Sequence, residues 1–166
     1  MMIRKIGIIG AMEEEVEALR AKLEHPEKMT RASMDFYSGV LEGREAVIVR
    51  SGIGKVNAGI CTQILADVFH VDAVINTGIA GSLAAQIDIG DIVVSTDTVQ
   101  HDMDATGFGY DLGVIPRMET SCFEADKALV EAAVAACREA VPEIKVFTGR
   151  IVSGDQFVSD RETKDR

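Results

Sequence analysis

The fold is decided by residues 4–23, RKIGIIGAMEEEVEALRAKL. The first half is a short apolar run with β-branched residues, closed by Gly10, which is typical of a buried strand that ends in a turn. The second half carries apolar residues at helical spacing: Met12, Val16, Leu19 and Leu23. The stretch therefore predicts a strand, a tight turn and an amphipathic helix in succession.

The same alternation continues along the chain. Further strands are predicted at residues 36–41, 46–50, 73–77, 91–95 and 145–153, and helices at about 55–69 and 124–140. The first two of these strands form a hairpin around Glu42-Gly43-Arg44, and residues 101–117 form a long polar loop. Alternating strands and helices indicate an α/β fold with a parallel or mixed central sheet, in one domain over residues 1–166.

Composition limits the possible partners. The chain has 17 Lys and Arg against 27 Asp and Glu, a formal charge of -10. Such a charge repels phosphate backbones and anionic lipid, so we expect no nucleic-acid and no membrane partner. The three cysteines have no CxxC spacing, which argues against a zinc site or a disulfide framework. No signal peptide and no stretch of ~18 apolar residues is recognisable, and we expect a cytoplasmic protein.

Three carboxylates stand together at Glu13, Glu14 and Glu15. Glu15 is three residues after Met12 and four before Leu19, so it borders the apolar face of its helix, just beyond a strand end. Ligands bind at the carboxyl ends of strands in open α/β sheets, and a carboxylate there can take a proton from water. A solvated glutamate that only interacts with the helix dipole stays open as the alternative.

Other motifs are less specific. The turns Ser51-Gly52-Ile53-Gly54 and Thr77-Gly78-Ile79-Ala80-Gly81 let backbone approach a ligand, but neither is a GxGxxG or P-loop motif. His101, Asp102 and Asp104 resemble a metal cluster without further acidic partners, and we expect no metal. Phe157 could stack on a purine or belong to the core.

Several segments together resemble one family, the bacterial 5'-methylthioadenosine/S-adenosylhomocysteine nucleosidases of the nucleoside phosphorylase superfamily. The segments are GIIGAMEEEV (7–16), SGIGKVNA (51–58), NTGIAG (76–81), GDIVVS (90–95) and SGDQF (153–157). They occur in the order and spacing of the family. The resemblance implies a three-layer, sandwich-like α/β domain with a mixed sheet, a homodimer, no metal or organic cofactor, and a role in methionine salvage.

The resemblance also implies the reaction and its residues. The reaction is hydrolysis of the N-glycosidic bond, which releases adenine and a thio-ribose. Glu15 matches the carboxylate that activates water, Phe157 the residue that stacks on adenine, and Val158 the residue whose backbone reads the adenine edge. Phe108 and Pro116 match residues that one subunit lends to its partner's alkylthio pocket. The other matched positions line the substrate pocket: Ala11, Met12, Ile53, Ile79, Ala80 and Gly81.

Two departures from the family pattern matter. Ile79 stands where many relatives have Ser, so one hydroxyl near the water and the ribose is absent. The Met-Glu segment that holds the ribose hydroxyls and the Ser-Asp pair that supplies the acid for adenine have no counterpart up to Arg166. We therefore expect the natural chain to continue, and residues 1–166 alone to be nearly inactive.

Three alternatives stay open. A nucleoside phosphorylase or a futalosine-type hydrolase could use the same fold, and a non-catalytic nucleoside-binding domain could retain it without the chemistry. A dinucleotide-binding module is disfavoured, because the turn after the first strand lacks the glycine spacing that admits a pyrophosphate.

Overall fold

Residues 4–23 form the predicted strand and helix, β1 (Lys5–Gly10) and α1 (Glu13–Arg20). The computed structural model describes residues 3–165, and the chain divides into two compact units, Met1–Ala80 and Gly81–Arg166. Each unit has its own mixed sheet. One domain over residues 1–166 stays a prediction.

The first unit is built on a five-stranded sheet in the order β2-β3-β4-β1-β5. Its remaining elements are β2 (Glu24–Arg31), β3 (Met34–Leu41), β4 (Arg44–Arg50), α2 (Lys55–Asp67) and β5 (Ala73–Asn76). The central strand β1 runs parallel to both neighbours, β4 and β5, whereas β2, β3 and β4 are antiparallel to one another. The predicted hairpin is confirmed: β3 and β4 join through Glu42 and Gly43, both with positive φ as a type I′ turn requires.

The two faces of this sheet bury different helices because successive strand residues point to opposite sides. On one face, Val16 of α1 packs with Ile8 and Ile48. On the other face, Cys61 and Leu65 of α2 pack with their own set of strand residues: Ile9, Met34, Phe36, Val47 and Val49. Helix, sheet and helix thus form the three layers that the sequence predicts.

The second unit has a three-stranded sheet in the order β7-β6-β8, with β6 parallel to β8 and antiparallel to β7. Its elements are β6 (Ile92–Gln100), a 3-10 helix (Thr106–Phe108), β7 (Cys122–Glu124), α3 (Lys127–Ala140), β8 (Val146–Ser153) and α4 (Arg161–Asp165). None of the helices within residues 3–165 has the length and apolar content needed to cross a bilayer.

Several predicted boundaries are wrong. β6 extends to Gln100 rather than to residue 95, with a bulge between Ser95 and Asp97 that interrupts the expected alternation. Helix α3 begins at Lys127, where Asp126 accepts a hydrogen bond from the Leu129 N–H, and the residues before it form β7. Strand β2 was not predicted, because its sequence EHPEKMTR is polar and exposed throughout.

Side chains from three strands meet at the bulge in β6. The Asp97 carboxylate pairs with Arg150 of β8 and accepts a hydrogen bond from the Cys122 thiol of β7, Sγ to Oδ1 3.3 Å. The hydrogen bond from Arg150 lowers the pKa of Asp97, and the bond to Asp97 raises the pKa of the Cys122 thiol. The cluster joins the three strands of the sheet at the point where their register changes.

We predict that Leu65→Ala lowers the free energy of unfolding by about 2–5 kcal/mol, because Leu65 is fully buried and the truncation leaves a cavity. Its Cδ1 lies 2.9 Å from where a Cβ on Gly7 would stand, so helix and strand are already in close contact. Urea denaturation measures the change. Leu83→Ala, the same truncation at a side chain that is 58% exposed, is the control, and equal effects of the two would contradict the placement of the core.

Candidate functional site

Three parallel strands of the first unit end at one edge of the sheet, and each continues into a turn. The Ser51 N–H donates to Gly10 O, and the Thr77 N–H donates to Ile9 O, both at 2.9 Å. These bonds hold the turns after β4 and β5 beside the turn after β1. Because β1 lies between the other two, the residues that follow it meet both turns.

The carboxylate of Glu15 lies at this edge. Its Oε2 accepts hydrogen bonds from the backbone N–H groups of Ala11 at 2.6 Å and Met12 at 2.9 Å. Its Oε1 accepts one from the N–H of Ile79 at 3.1 Å. Glu15 is the third residue of α1 and reaches back to the residue that caps the helix, a geometry that satisfies orphan N–H groups at a helix start. The same side chain therefore stabilises α1 and joins the turns after β1 and β5.

Two glycines make room for this carboxylate. A Cβ on Gly78 would stand 2.5 Å from Oε1 of Glu15, and a Cβ on Gly10 would stand 2.7 Å from Cγ1 of Val16 and 2.9 Å from the Cβ of Glu15. Neither glycine has a positive φ, so each is required by close approach and not by backbone conformation. The pattern of glycines in the sequence indicates turns, and the structure shows that two of them adjoin Glu15.

The two oxygens of Glu15 are not equivalent. A carboxylate oxygen has two lone pairs, and both lone pairs of Oε2 are used by the N–H groups of Ala11 and Met12. Among the hydrogen bonds within residues 3–165, Oε1 accepts only the one from Ile79. One lone pair of Oε1 can therefore accept a proton from a water molecule, while Oε2 holds the group in place.

The neighbouring carboxylates are used differently. Glu13 pairs with Arg20 and lies 3.8 Å from Nε of Arg50 at the end of β4, and Glu14 is exposed. The hydrogen bond with Glu13 raises the pKa of Arg20. Glu13 thus pairs with cations, Glu14 faces solvent, and Glu15 is the one of the three whose carboxylate accepts backbone N–H groups from the turns after β1 and β5.

Three of the predicted site residues contact Glu15, and two more lie in the turns at the same edge of the sheet. Ala11, Met12 and Ile79 donate to its carboxylate, Ala80 follows Ile79, and Ile53 lies in the turn after β4. The side chains of Ile53 and Ile79 are 75% and 84% exposed, so this edge presents apolar surface beside the carboxylate.

The remaining predicted residues lie in the second unit. Phe157 and Val158 follow β8; the Phe157 side chain is 95% exposed and Val158 is half-buried. Phe108 ends the 3-10 helix with 87% of its side chain exposed, Pro116 is half-buried in the same long loop, and Gly81 begins the unit.

A second cluster of contacts joins the residues that follow β6 to those that follow β8. The sequence did not indicate this pairing. The Asp155 N–H donates to Oδ2 of Asp102 at 2.8 Å, and the His101 imidazole lies against Gly154. In the sequence, His101, Asp102 and Asp104 resemble a metal cluster, but no metal was expected there. Within residues 3–165 no three His, Cys, Asp or Glu side chains are grouped to hold a metal ion.

The fold and the site agree with a known class of protein. Residues 5–166 match the family described as the phosphorylase superfamily. A 5'-methylthioadenosine/S-adenosylhomocysteine nucleosidase of Bacillus licheniformis is 47% identical over 156 residues, which are 94% of this chain and 67% of that protein.

Solved structures agree. The structure of the nucleosidase from Neisseria meningitidis in complex with methylthio-immucillin-A superposes with a TM-score of 0.93 at 40% identity, covering 98% of this chain and 70% of that one. The structure of the nucleosidase from Colwellia psychrerythraea in complex with adenine superposes with a TM-score of 0.92 at 43% identity. The match covers 99% of this chain and 67% of that one.

The chain belongs to the phosphorylase superfamily and, within it, to the 5'-methylthioadenosine/S-adenosylhomocysteine nucleosidases, which are N-glycosyl hydrolases. It spans about two thirds of the length of the curated relatives that it matches. The predicted family, fold class and reaction class are confirmed.

We predict that Gly78→Ala lowers nucleosidase activity about tenfold or more, because the added methyl group displaces the Glu15 carboxylate and misplacement of a reacting group is costly. Steady-state release of adenine from 5'-methylthioadenosine by the purified protein that contains this chain measures the effect. Gly59→Ala, at a helical glycine with nothing within 4 Å of the added atom, is the control and should keep full activity. Unchanged activity of Gly78→Ala would show that the carboxylate does not need this position.

Proposed function

We propose that this chain supplies the water-activating half of a site that hydrolyses 5'-methylthioadenosine and S-adenosylhomocysteine, with Glu15 as the general base. One observation carries the proposal: Glu15 is held by three backbone N–H groups at the edge where three parallel strands end, with Oε1 able to accept one further hydrogen bond. A general base must be held in a fixed position beside the proton that it removes, and three hydrogen bonds fix this carboxylate.

The reaction can be written with Glu15 in one role. The water oxygen bonds to the anomeric carbon of the ribose, and the bond from that carbon to the adenine nitrogen breaks with its electron pair on adenine. Oε1 of Glu15 takes the proton that the water loses. The departing adenine gains its proton from a different acid, since Glu15 acts as a base in the same step. Stabilisation of charge that exists only in the transition state then sets the rate.

The hydrogen bonds of Glu15 also favour hydrolysis over phosphorolysis. Backbone N–H groups at the ends of parallel strands and at a helix start are a common phosphate site. Here the N–H groups of Ala11, Met12 and Ile79 donate to a carboxylate, whose charge repels a phosphate. Arg50, one of the two cations that flank the turn of residues 51–54, lies near Glu13. Water is therefore the nucleophile that this edge suits.

We assign substrate contacts as the resemblance implies. The apolar surface of residues 11–12, 53 and 79–81 lines the pocket, Phe157 stacks on adenine, and Val158 reads its edge through the backbone. The exposed side chains of Ile53, Ile79 and Phe157 support these roles, because each is available to a ligand. An aromatic face and apolar walls suit a purine with a thioether substituent.

Exposed apolar surface supports a homodimer. Val56 and Ile60, one helical turn apart on α2, are 72% and 43% exposed, and Phe108 is 87% exposed. In the proposed dimer, Phe108 and Pro116 of one subunit complete the alkylthio pocket of the other.

The three free cysteines support a reducing, cytoplasmic location. The thio-ribose product fits a role in methionine salvage.

Glu15→Gln, made in the purified protein that contains this chain, tests the general base. We expect kcat to fall about 10²–10⁴-fold, because the amide cannot accept the proton of the water. Glu14→Gln removes the same charge from the adjacent, exposed residue and should leave kcat unchanged. Adenine release is measured with and without phosphate, and the sugar product is identified by mass.

Three outcomes of that test would count against the proposal. Full activity of Glu15→Gln would remove Glu15 from the chemistry. A phosphorylated sugar that appears only with phosphate would make the enzyme a phosphorylase. Adenine binding without turnover in the unaltered protein would favour a non-catalytic binding domain.

Mixed dimers test the shared site. When subunits with Glu15→Gln are combined with subunits carrying Phe108→Ala, each heterodimer keeps one site with both native residues, so we expect wild-type KM to reappear. When both substitutions are in one chain and that chain is combined with native subunits, no heterodimer site keeps both. A different affinity tag on each kind of subunit allows the heterodimers to be purified away from the native homodimers in that mixture. Equal activity of the two heterodimers, or a monomer by light scattering, would contradict the shared site.

A further inference from the structure

The segment that follows β8 carries an exposed aromatic residue, Phe157. Asp155, Gln156 and Phe157 are exposed, and the Phe157 side chain has 95% of its surface accessible. A side chain this exposed is not held by its own packing. Its orientation therefore depends on how the base of the segment, at Gly154 and Asp155, is attached to the sheet.

Residues that follow β6 make this attachment. Strands β6 and β8 are parallel, and their last register pair is Gln100 with Ser153. Directly beyond that pair, the His101 N–H donates to Ser153 O at 3.0 Å, and the Asp155 N–H donates to Oδ2 of Asp102 at 2.8 Å. The second bond fixes the backbone two residues before Phe157.

The imidazole of His101 adds a packing contact to these bonds. A Cβ on Gly154 would collide with Nε2 of His101 and would lie 2.9 Å from both Cδ2 and Cε1. The ring thus occupies the space in which a side chain at residue 154 would stand. Gly154 has no positive φ, so the glycine is needed here for close approach.

We propose that His101 and Asp102 are positioning residues that hold residues 154–158 so that Phe157 presents its ring to adenine. The inference rests on the proposed function, in which Phe157 stacks on the base. Neither residue needs to touch the reacting atoms, and both act through the backbone at Gly154 and Asp155. A fixed aromatic ring binds more tightly than a mobile one because less conformational entropy is lost on binding.

Asp102→Ala tests this role in the purified protein that contains the chain. We expect adenine to bind about tenfold more weakly by calorimetry, within the range found when a base loses its aromatic partner. KM should rise while kcat stays nearly unchanged, because Glu15 is untouched. Asp102→Asn keeps an oxygen that can accept the Asp155 N–H and should restore affinity. If Asp102→Ala does not fold, His101→Ala applies the same test through the packing contact.

A matched control separates positioning from general stability. Asp126→Ala also removes an aspartate that accepts one backbone N–H, that of Leu129 at 3.0 Å, but at the start of α3. It should lower the melting temperature and leave adenine affinity unchanged. A loss of affinity as large as that of Asp102→Ala would mean that the effect of Asp102 is general destabilisation, and the inference would fail.

A double-mutant cycle with Phe157→Ala then decides the mechanism. If Asp102 acts through Phe157, Asp102→Ala costs little further affinity once the ring is gone. Additive losses, or no loss from Asp102→Ala while Phe157→Ala weakens binding, would overturn the inference and leave the proposed function intact. If Phe157→Ala itself has no effect on adenine binding, the stacking role in the proposed function is wrong, and the inference fails with it.

Discussion

The first unit depends on one carboxylate that accepts three backbone hydrogen bonds. Glu15 links the start of α1 to the turns after β1 and β5, and so determines how the edge of the sheet is arranged. N–H groups at a helix start have no acceptor within the helix, and the Glu15 carboxylate supplies one for Ala11 and Met12 and another for Ile79 in the turn after β5. The side chain that we assign to the chemistry is also required by the local structure.

Because Glu15 has both a structural and a proposed chemical role, few of the residues around it can be substituted. Gly78 has no room for a side chain because the Glu15 carboxylate fills the space, and Gly10 has none because Val16 and the Cβ of Glu15 fill it. The parallel arrangement of β4, β1 and β5 is needed as well, since only parallel neighbours bring their turns to the same edge. The hydrogen bonds, the glycines and the strand directions form one constraint, and Ile79 can vary in its side chain because it contributes its backbone N–H.

Much of the fold was predictable from residue patterns. The apolar runs of β1 and β4 and the spacing of α1 and α2 are clear in the sequence because these elements are buried on defined faces. Strand β2 was missed because an exposed edge strand needs no apolar pattern, and the extent of β6 because its bulge shifts the alternation. The place of Glu15 on the helix could be predicted, and its donors Ala11 and Met12 are local, whereas the bond from Ile79 joins residues 64 positions apart. The attachment of Gly154 to His101 was not predictable for the same reason.

The polar strand β2 has a consequence for how the protein behaves when it is damaged. Its open edge carries Pro26 and many charged side chains, and its register is irregular between Glu24 and Glu27. Proline cannot donate to a neighbouring strand, and charges disfavour the stacking of edge on edge. A partly unfolded molecule therefore cannot readily begin a fibril by adding a strand at β2. The short strand β5, at the other end of the same sheet, has neither proline nor charge in its sequence AVIN and exposes Ile75, so within the first unit it is the edge that resists such pairing less.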